Sequence, residues 1–144
     1  MLWVTRSHVH VDRVACPWLI KRFVDSRAEF LFVPKSQIEV VAQQTGAIPF
    51  DAPGVELGHH EGQCSFETIL KKYGLTDPAL ARLSAIVHSA DISDDLGRDD
   101  IAPGLEAIAT GFGLLFANDQ DNLDVQFYVY DALYAWCRLE VAKG

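Results

Sequence analysis

The sequence predicts an α/β fold, with a small sheet of about three strands, about five helices and a C-terminal half that is all helical. Three observations predict it. Two β-prone runs, residues 2–5 (LWVT) and 28–33 (AEFLFV), flank a helical segment, and strand, helix, strand in that order is the pattern of a parallel βαβ unit. Past the turn signal Asp51-Ala52-Pro53-Gly54 the apolar residues recur at helical rather than alternating spacing. With 144 residues, 49% of them hydrophobic, the chain can bury one core without staples, so residues 1–144 are read as a single domain.

The elements follow in order. Cys16 followed by Pro17 reads as the start of the first helix, since proline at the first helical position gives up no needed donor; Trp18, Leu19, Ile20 and Phe23 then line its apolar side. Residues 28–33 are aromatic and branched, as a buried second strand requires. Residues 37–44 form a helix closed by Gly46, and residues 47–50 a third strand. Ser65 opens a helix with Phe66, Ile69, Leu70 and Tyr73 at helical spacing and Gly74 as its stop. Asp77-Pro78 opens the next, with Leu80, Leu83 and Val87 facing the core. Residues 104–116 make a small-residue helix interrupted by Gly111 and Gly113. The last helix spans residues 123–141, with a core stripe of Leu123, Phe127, Tyr130, Tyr134 and Cys137 and a second stripe of Val129, Leu133 and Trp136.

Composition excludes several classes. Twelve Lys and Arg against twenty Asp and Glu give a formal charge of −8, which works against a nucleic-acid partner because phosphate binding needs a basic face. Cys16, Cys64 and Cys137 are an odd, widely spaced set with no CxxC pair, so free thiols are expected. No apolar run is long enough for a membrane span. Met1 to Arg6 reach polar residues at once, without the basic start and apolar core of an export signal. A cytoplasmic protein with no membrane partner and no nucleotide cofactor is expected.

Chemistry concentrates in three segments. The stretch His8-Val9-His10-Val11-Asp12-Arg13-Val14-Ala15-Cys16 lies in a strand-to-helix connection, where open α/β sheets bind ligands. There His8 and His10 are expected to share a face. Cys16, just ahead of a helix, is expected to have a depressed thiol pKa and a catalytic or reducing role. The loop His59-His60-Glu61-Gly62-Gln63-Cys64-Ser65-Phe66-Glu67 gathers imidazole, thiol and carboxylate, with Glu67 a candidate base. His88 and Asp91 share a helical face by their spacing of three. His59, His88 and Asp91 are therefore expected to converge on one divalent iron or zinc ion, with His60, Glu61 and Cys64 as rival ligands from the same loop. Asp131, in an aromatic setting, is expected to be buried and paired with Arg13 or Arg22, Arg13 being preferred. The acidic run Asp91, Asp94, Asp95, Asp99 and Asp100 is read as a solvated loop, since it lacks EF-hand spacing.

Five stretches taken together, Trp3-Val4-Thr5-Arg6, Val11-Asp12-Arg13-Val14-Ala15-Cys16-Pro17-Trp18-Leu19-Ile20, Ile48-Pro49-Phe50-Asp51, Cys64-Ser65-Phe66-Glu67 and Tyr130-Asp131-Ala132-Leu133-Tyr134-Ala135-Trp136, closely resemble the chromate-resistance ChrB-like domain family, also labelled "chromate resistance exported protein". The resemblance covers nearly the whole chain. It implies a part in chromate sensing or chromate-responsive regulation. Longer members carry the domain behind a separate N-terminal half, so a DNA-regulatory role is not carried over, and the resemblance brings no catalytic residue set with it. Three functions follow from the residues and the resemblance together. The first is a stress domain binding a metal ion or an inorganic oxyanion such as chromate, with Arg6 and Arg13 as anion ligands. The second is a small iron- or zinc-dependent enzyme acting on a small molecule. The third is a partner-binding or homo-oligomerising module using the aromatic last helix.

Overall fold

The computed structural model describes residues 1–144, the side chain of Ser93 excepted. It contains three strands, β1 (Leu2–Arg6), β2 (Glu29–Val33) and β3 (Ile48–Pro49). Six α-helices follow the chain as α1 (Asp12–Leu19), α2 (Ile38–Thr45), α3 (Ser65–Lys72), α4 (Pro78–Asp91), α5 (Ala102–Leu115) and α6 (Asp119–Ala142). The expected α/β class and the helical C-terminal half are both present. The sheet is parallel throughout, in the order β2-β1-β3, with Trp3 opposite Phe30 on one side and Ile48 on the other.

Alternation along β1 decides where the helices lie. Trp3 joins the main core with Val14, Ala15 and Trp18 of α1, while Val4 joins Ile38 and Ala47 in a small cluster beneath α2. The two crossover helices thus cover opposite faces, and the direction of crossing reverses at β1. The crevice beyond the carboxyl ends of β1 and β3 is a topological switch point, the place where open α/β sheets bind ligands.

The first helix corrects the expectation built on Pro17. Backbone hydrogen bonds begin earlier, with Arg13 N–H donating to the His10 carbonyl at 2.8 Å and Ala15 N–H to the Val11 carbonyl at 2.8 Å. Val11, Val14 and Ala15 are all fully buried, and this burial carries the helix start back to Asp12. Pro17 therefore lies inside α1. Without an N–H it leaves the Arg13 carbonyl short of a partner. The helix then widens into a π turn, Ile20–Val24, closed by Asp25 N–H donating to the Ile20 carbonyl at 2.7 Å.

In the helical half, α4 packs against α3, α5 and α6, and α6 returns to α1, where the Tyr130 hydroxyl donates to the Val11 carbonyl at 3.2 Å. α6 begins a turn earlier than its apolar stripe, because the Asn118 side chain accepts from Asp121 N–H at 3.0 Å. Its Asp119 carboxylate accepts from the backbone N–H groups of His8 and Val9 at 3.0 and 2.9 Å, which pins the β1–α1 loop. The expected stripe holds, with Leu123, Tyr130 and Cys137 buried. Val129, Leu133 and Trp136 are partly covered and line a shallow apolar groove with Ile101 and Ile108. Among the described residues, no helix is long and apolar enough to cross a membrane.

Asp131 does not meet Arg13. It is 41% exposed and takes a two-pronged contact from Arg22, Nε to Oδ1 at 3.1 Å and Nη2 to Oδ2 at 3.0 Å, while Trp18 Nε1 donates to Oδ1 at 2.7 Å. Arg22 lies on the π turn beside α6, whereas Arg13, at the other end of α1, turns toward Asp51.

Candidate functional site

A cleft of about 460 Å³ opens at the switch point. Arg6 enters it from the end of β1, His10 and Arg13 from the start of α1, Asp51 from just beyond β3, Asp91 from the end of α4, and His59 from the β3–α3 loop. That loop doubles back tightly. A Cβ at Gly58 would stand 2.8 Å from the Ala52 carbonyl oxygen, so only glycine lets the chain close and swing His59 over Asp51. Asp51 itself adopts φ 46°, a left-handed conformation that costs energy away from glycine.

Asp12 anchors the floor. It is fully buried, and its two oxygens accept from the first amides of α3, Oδ2 from Ser65 N–H at 2.7 Å and Oδ1 from Phe66 N–H at 3.1 Å. A carboxylate here suits the positive end of the helix. The Cys16 thiol donates to the same Oδ1 at 3.3 Å, and the Ser65 hydroxyl donates to Asp51 Oδ1 at 2.7 Å.

Over this floor, His59 Nε2 meets three carboxylates at once, at 3.1 Å from Asp91 Oδ2, 3.3 Å from Asp12 Oδ2 and 3.4 Å from Asp51 Oδ1. One ring nitrogen carries at most one proton, so three such contacts cannot all be hydrogen bonds. Hydrogen bonding to Asp12 and Asp51 raises the His59 pKa to about 10. Burial, reinforced by repulsion from Asp12 and Asp51, raises Asp91 to about 7. Burial also raises Asp12, against the pull of His59. It pushes Asp51 the same way, but His59, Ser65 and Arg13 outweigh it and hold that acid low. Arg13 Nη1 stands 3.6 Å from Asp51 and its Nη2 donates to the His8 carbonyl at 2.8 Å. Its buried Nε has no partner among the described residues.

A second group lies on the far side of the α3 N-terminus. Cys64 caps α3, and Glu67 Oε1 accepts from Cys64 N–H at 3.0 Å, forming a capping box. His88 of α4 lies between two carboxylates, Nδ1 at 2.6 Å from Glu67 Oε1 and Nε2 at 2.6 Å from Asp95 Oδ2. Burial pulls the His88 pKa down, yet Glu67 and Asp95 together outweigh it and raise it.

The structure therefore brings His59 and Asp91 together and sets His88 in a different group. Spacing of three placed His88 and Asp91 on one helix face, but they take different partners, His88 meeting Glu67 and Asp95 and Asp91 meeting His59 and the Asp12 amide. Cys16 is fully buried inside α1, and burial, with Asp12 and Asp51, pushes its thiol pKa up rather than down, which corrects the expected helix-start thiol. Glu67 belongs with His88, away from the cleft. His60 contacts the Val55 and Glu56 carbonyls, and Glu61 is exposed, so neither faces the group around His59. His8 adopts φ 65° and is exposed, breaking the alternation that would pair it with His10. The acidic run is not simply solvated either, since Asp91 and Asp95 each join a group and Asp99 pairs with Arg82 at 2.7 Å. Sequence reasoning missed Asp12, Asp51 and Asp95 as site residues. Asp12 carried a signal, an acid in an otherwise apolar helix start, while Asp51 was absorbed into a turn motif.

An acid-rich, arginine-flanked cleft thus lies at the switch point of a small parallel α/β sheet. The chain belongs to the family described as "ChrB, C-terminal domain", which it matches over residues 3–137, as its sequence resemblance implied. It is 40% identical over 134 residues to Protein ChrB of Cupriavidus metallidurans, an alignment covering 92% of this chain and 39% of that protein. The chain thus spans about two-fifths of the length of this relative. No solved structure matches.

Proposed function

We propose that this chain is a chromate-resistance-type ligand-binding domain that holds a divalent cation between Asp12, His59 and Asp91, with Asp51 beside them, and receives a small oxyanion on the open side lined by Arg6 and Arg13. The observation that carries the reading is the single His59 nitrogen lying 3.1–3.4 Å from three carboxylates. Ligands about 2.0–2.2 Å from one metal ion stand roughly 3.0–3.5 Å apart along the edges of its coordination shell. Three acids crowd one imidazolium nitrogen, Arg13 reaches only Asp51, and Arg6 lines the cleft without an ion pair to any of them, so a divalent ion offsets the local excess around His59. The donors, two or three oxygens and one nitrogen, suit zinc, iron or manganese.

The same charge count orders the binding events. Arg13 is already engaged by Asp51 and His8, which among the described residues leaves Arg6 as the free cation against three acids for an anion entering the metal-free cleft. An oxyanion therefore binds after the metal. Metal content measured on protein dialysed against zinc or ferrous ion tests the first half. Wild type retains one ion in the cleft, and His59→Ala and Asp91→Asn each lose it while remaining folded; retention in either variant overturns the assignment. For the second half, molybdate, a non-oxidising tetrahedral oxyanion, raises the melting temperature only with metal present, and Arg6→Ala abolishes the rise. Equal stabilisation with and without metal refutes the order.

A further inference from the structure

The group around His88 has a different chemistry from the cleft, because it contains a thiol. Cys64 Sγ, a Glu67 oxygen and a His88 ring nitrogen all lie within 4.8 Å of one another, on two packed helices. Cys64 is fully buried, and the side chains of His88 and Glu67 are 15% and 23% exposed. The imidazole is held from behind: Asp95 Oδ2 lies 2.6 Å from Nε2, and Arg98 Nη2 in turn holds Asp95 Oδ1 at 3.0 Å. A carboxylate fixing one ring nitrogen and turning the other toward further donors is the arrangement that orients metal-binding histidines. Nδ1 faces Glu67, and the Cys64 thiol lies within reach of the same pair.

We infer that Cys64, Glu67 and His88 form a second metal site, separate from the cleft and selective for a borderline-soft divalent ion such as zinc or cobalt, with Asp95 as the residue that positions His88. A thiolate about 2.3 Å and nitrogen and oxygen about 2.0–2.2 Å from zinc require ligand edges of roughly 3–4 Å, within reach of small side-chain adjustments here. The ion replaces two protons, the one now shared between Nδ1 and Glu67 and the one on the Cys64 thiol, both released to solvent, and the Nε2–H to Asp95 contact stays. Burial and the Asp12 and Glu67 carboxylates push the Cys64 thiol up, against the Glu67 amide that caps onto its sulfur, so the thiol is protonated until an ion displaces its proton, as a coordinating metal does.

Titration with cobalt(II) separates this site from the cleft, since none of the cleft ligands is a thiol. Wild type develops a thiolate-to-cobalt charge-transfer band in the near ultraviolet. His59→Ala loses one equivalent of bound cobalt and keeps the band, whereas Cys64→Ser and His88→Gln lose the band. If the cleft reading fails and this one stands, wild type shows the band at one equivalent and His59→Ala changes nothing. Absence of the band in wild type at saturating cobalt overturns the inference even if a variant misfolds. A band that survives Cys64→Ser, or one that His59→Ala abolishes, overturns it as well.

Discussion

The two histidines sit on either side of the same helix start and meet acid in opposite ways. His88 offers two nitrogens to two carboxylates, each at 2.6 Å and well enclosed, so donors and acceptors balance without any ion. His59, about half exposed, offers one nitrogen to three carboxylates, each at a longer distance. The first arrangement is a completed hydrogen-bond network; the second is an excess of charge held in place by the fold. An ion at His88 must displace protons from satisfied partners, whereas an ion in the cleft relieves repulsion. Metal is accordingly expected to stabilise the fold chiefly through the cleft.

The largest expected effect breaks both sides together. Asp12→Ala strips the acceptors from two buried amides at the start of α3 and from the Cys16 thiol. Orphaned buried polar groups cost about 1–3 kcal/mol each, so the variant should lose about 3–5 kcal/mol and melt on the order of 10 °C lower. It should also lose order at both groups, since α3 carries Cys64 and Glu67. A melting temperature equal to that of a variant at the exposed Asp94 would mean that the Asp12 contacts contribute nothing.

Asp91→Asn sharpens the contrast by reversing sign with conditions. Ionised Asp91 suffers burial and repulsion from Asp12 and Asp51, which is why its pKa stands near 7. Asparagine keeps an acceptor for the Asp12 amide and removes the charge. In chelator at neutral pH the variant should be more stable than wild type by on the order of 1 kcal/mol, the scale of a single unit of pKa shift. With metal at about a hundred times its dissociation constant, wild type gains about 2.7 kcal/mol and the order inverts. Thermal scans with and without metal read the crossing. A variant less stable in both conditions would show that the cleft is not charge-frustrated.

The sequence was legible where one local rule decided the outcome. Gly46, with φ 75°, closes α2 as expected of a glycine stop, and Asp77 caps α4 ahead of Pro78. The parallel sheet followed from strand, helix, strand. The start of α1 was misread because proline at a first helical position is a local preference, and burial of Val11, Val14 and Ala15 overrode it. Site residues were legible as chemistry but not as partnership. His59 and Asp91 were singled out and do meet, yet spacing along a helix cannot reveal that His88 turns to Glu67 and Asp95 while Asp91 turns to His59. Asp12 and Asp51 come together only through the β1–β3 neighbourhood, which no local pattern records.

Asp131 supplies the balanced reference, one carboxylate matched by one guanidinium, and the smallest expected effect. Its pKa is lowered by the Arg22 hydrogen bonds, against a small opposing push from burial, with Trp18 helping. A depressed folded-state pKa means that the unfolded chain binds the proton more readily. The stabilisation is therefore complete above the unfolded value of about 3.9 and is lost as pH falls through the lower folded value. Because the side chain is 41% exposed, solvent screening holds the contribution to below about 1 kcal/mol. Asp131→Asn should then shift the urea midpoint slightly at neutral pH, the shift shrinking as pH falls below about 4 and as salt is raised. Arg22→Met should give the same small loss at neutral pH, while Arg13→Met leaves the Asp131 contribution untouched. A pH-independent penalty in Asp131→Asn would assign its effect to the Trp18 contact rather than to the ion pair.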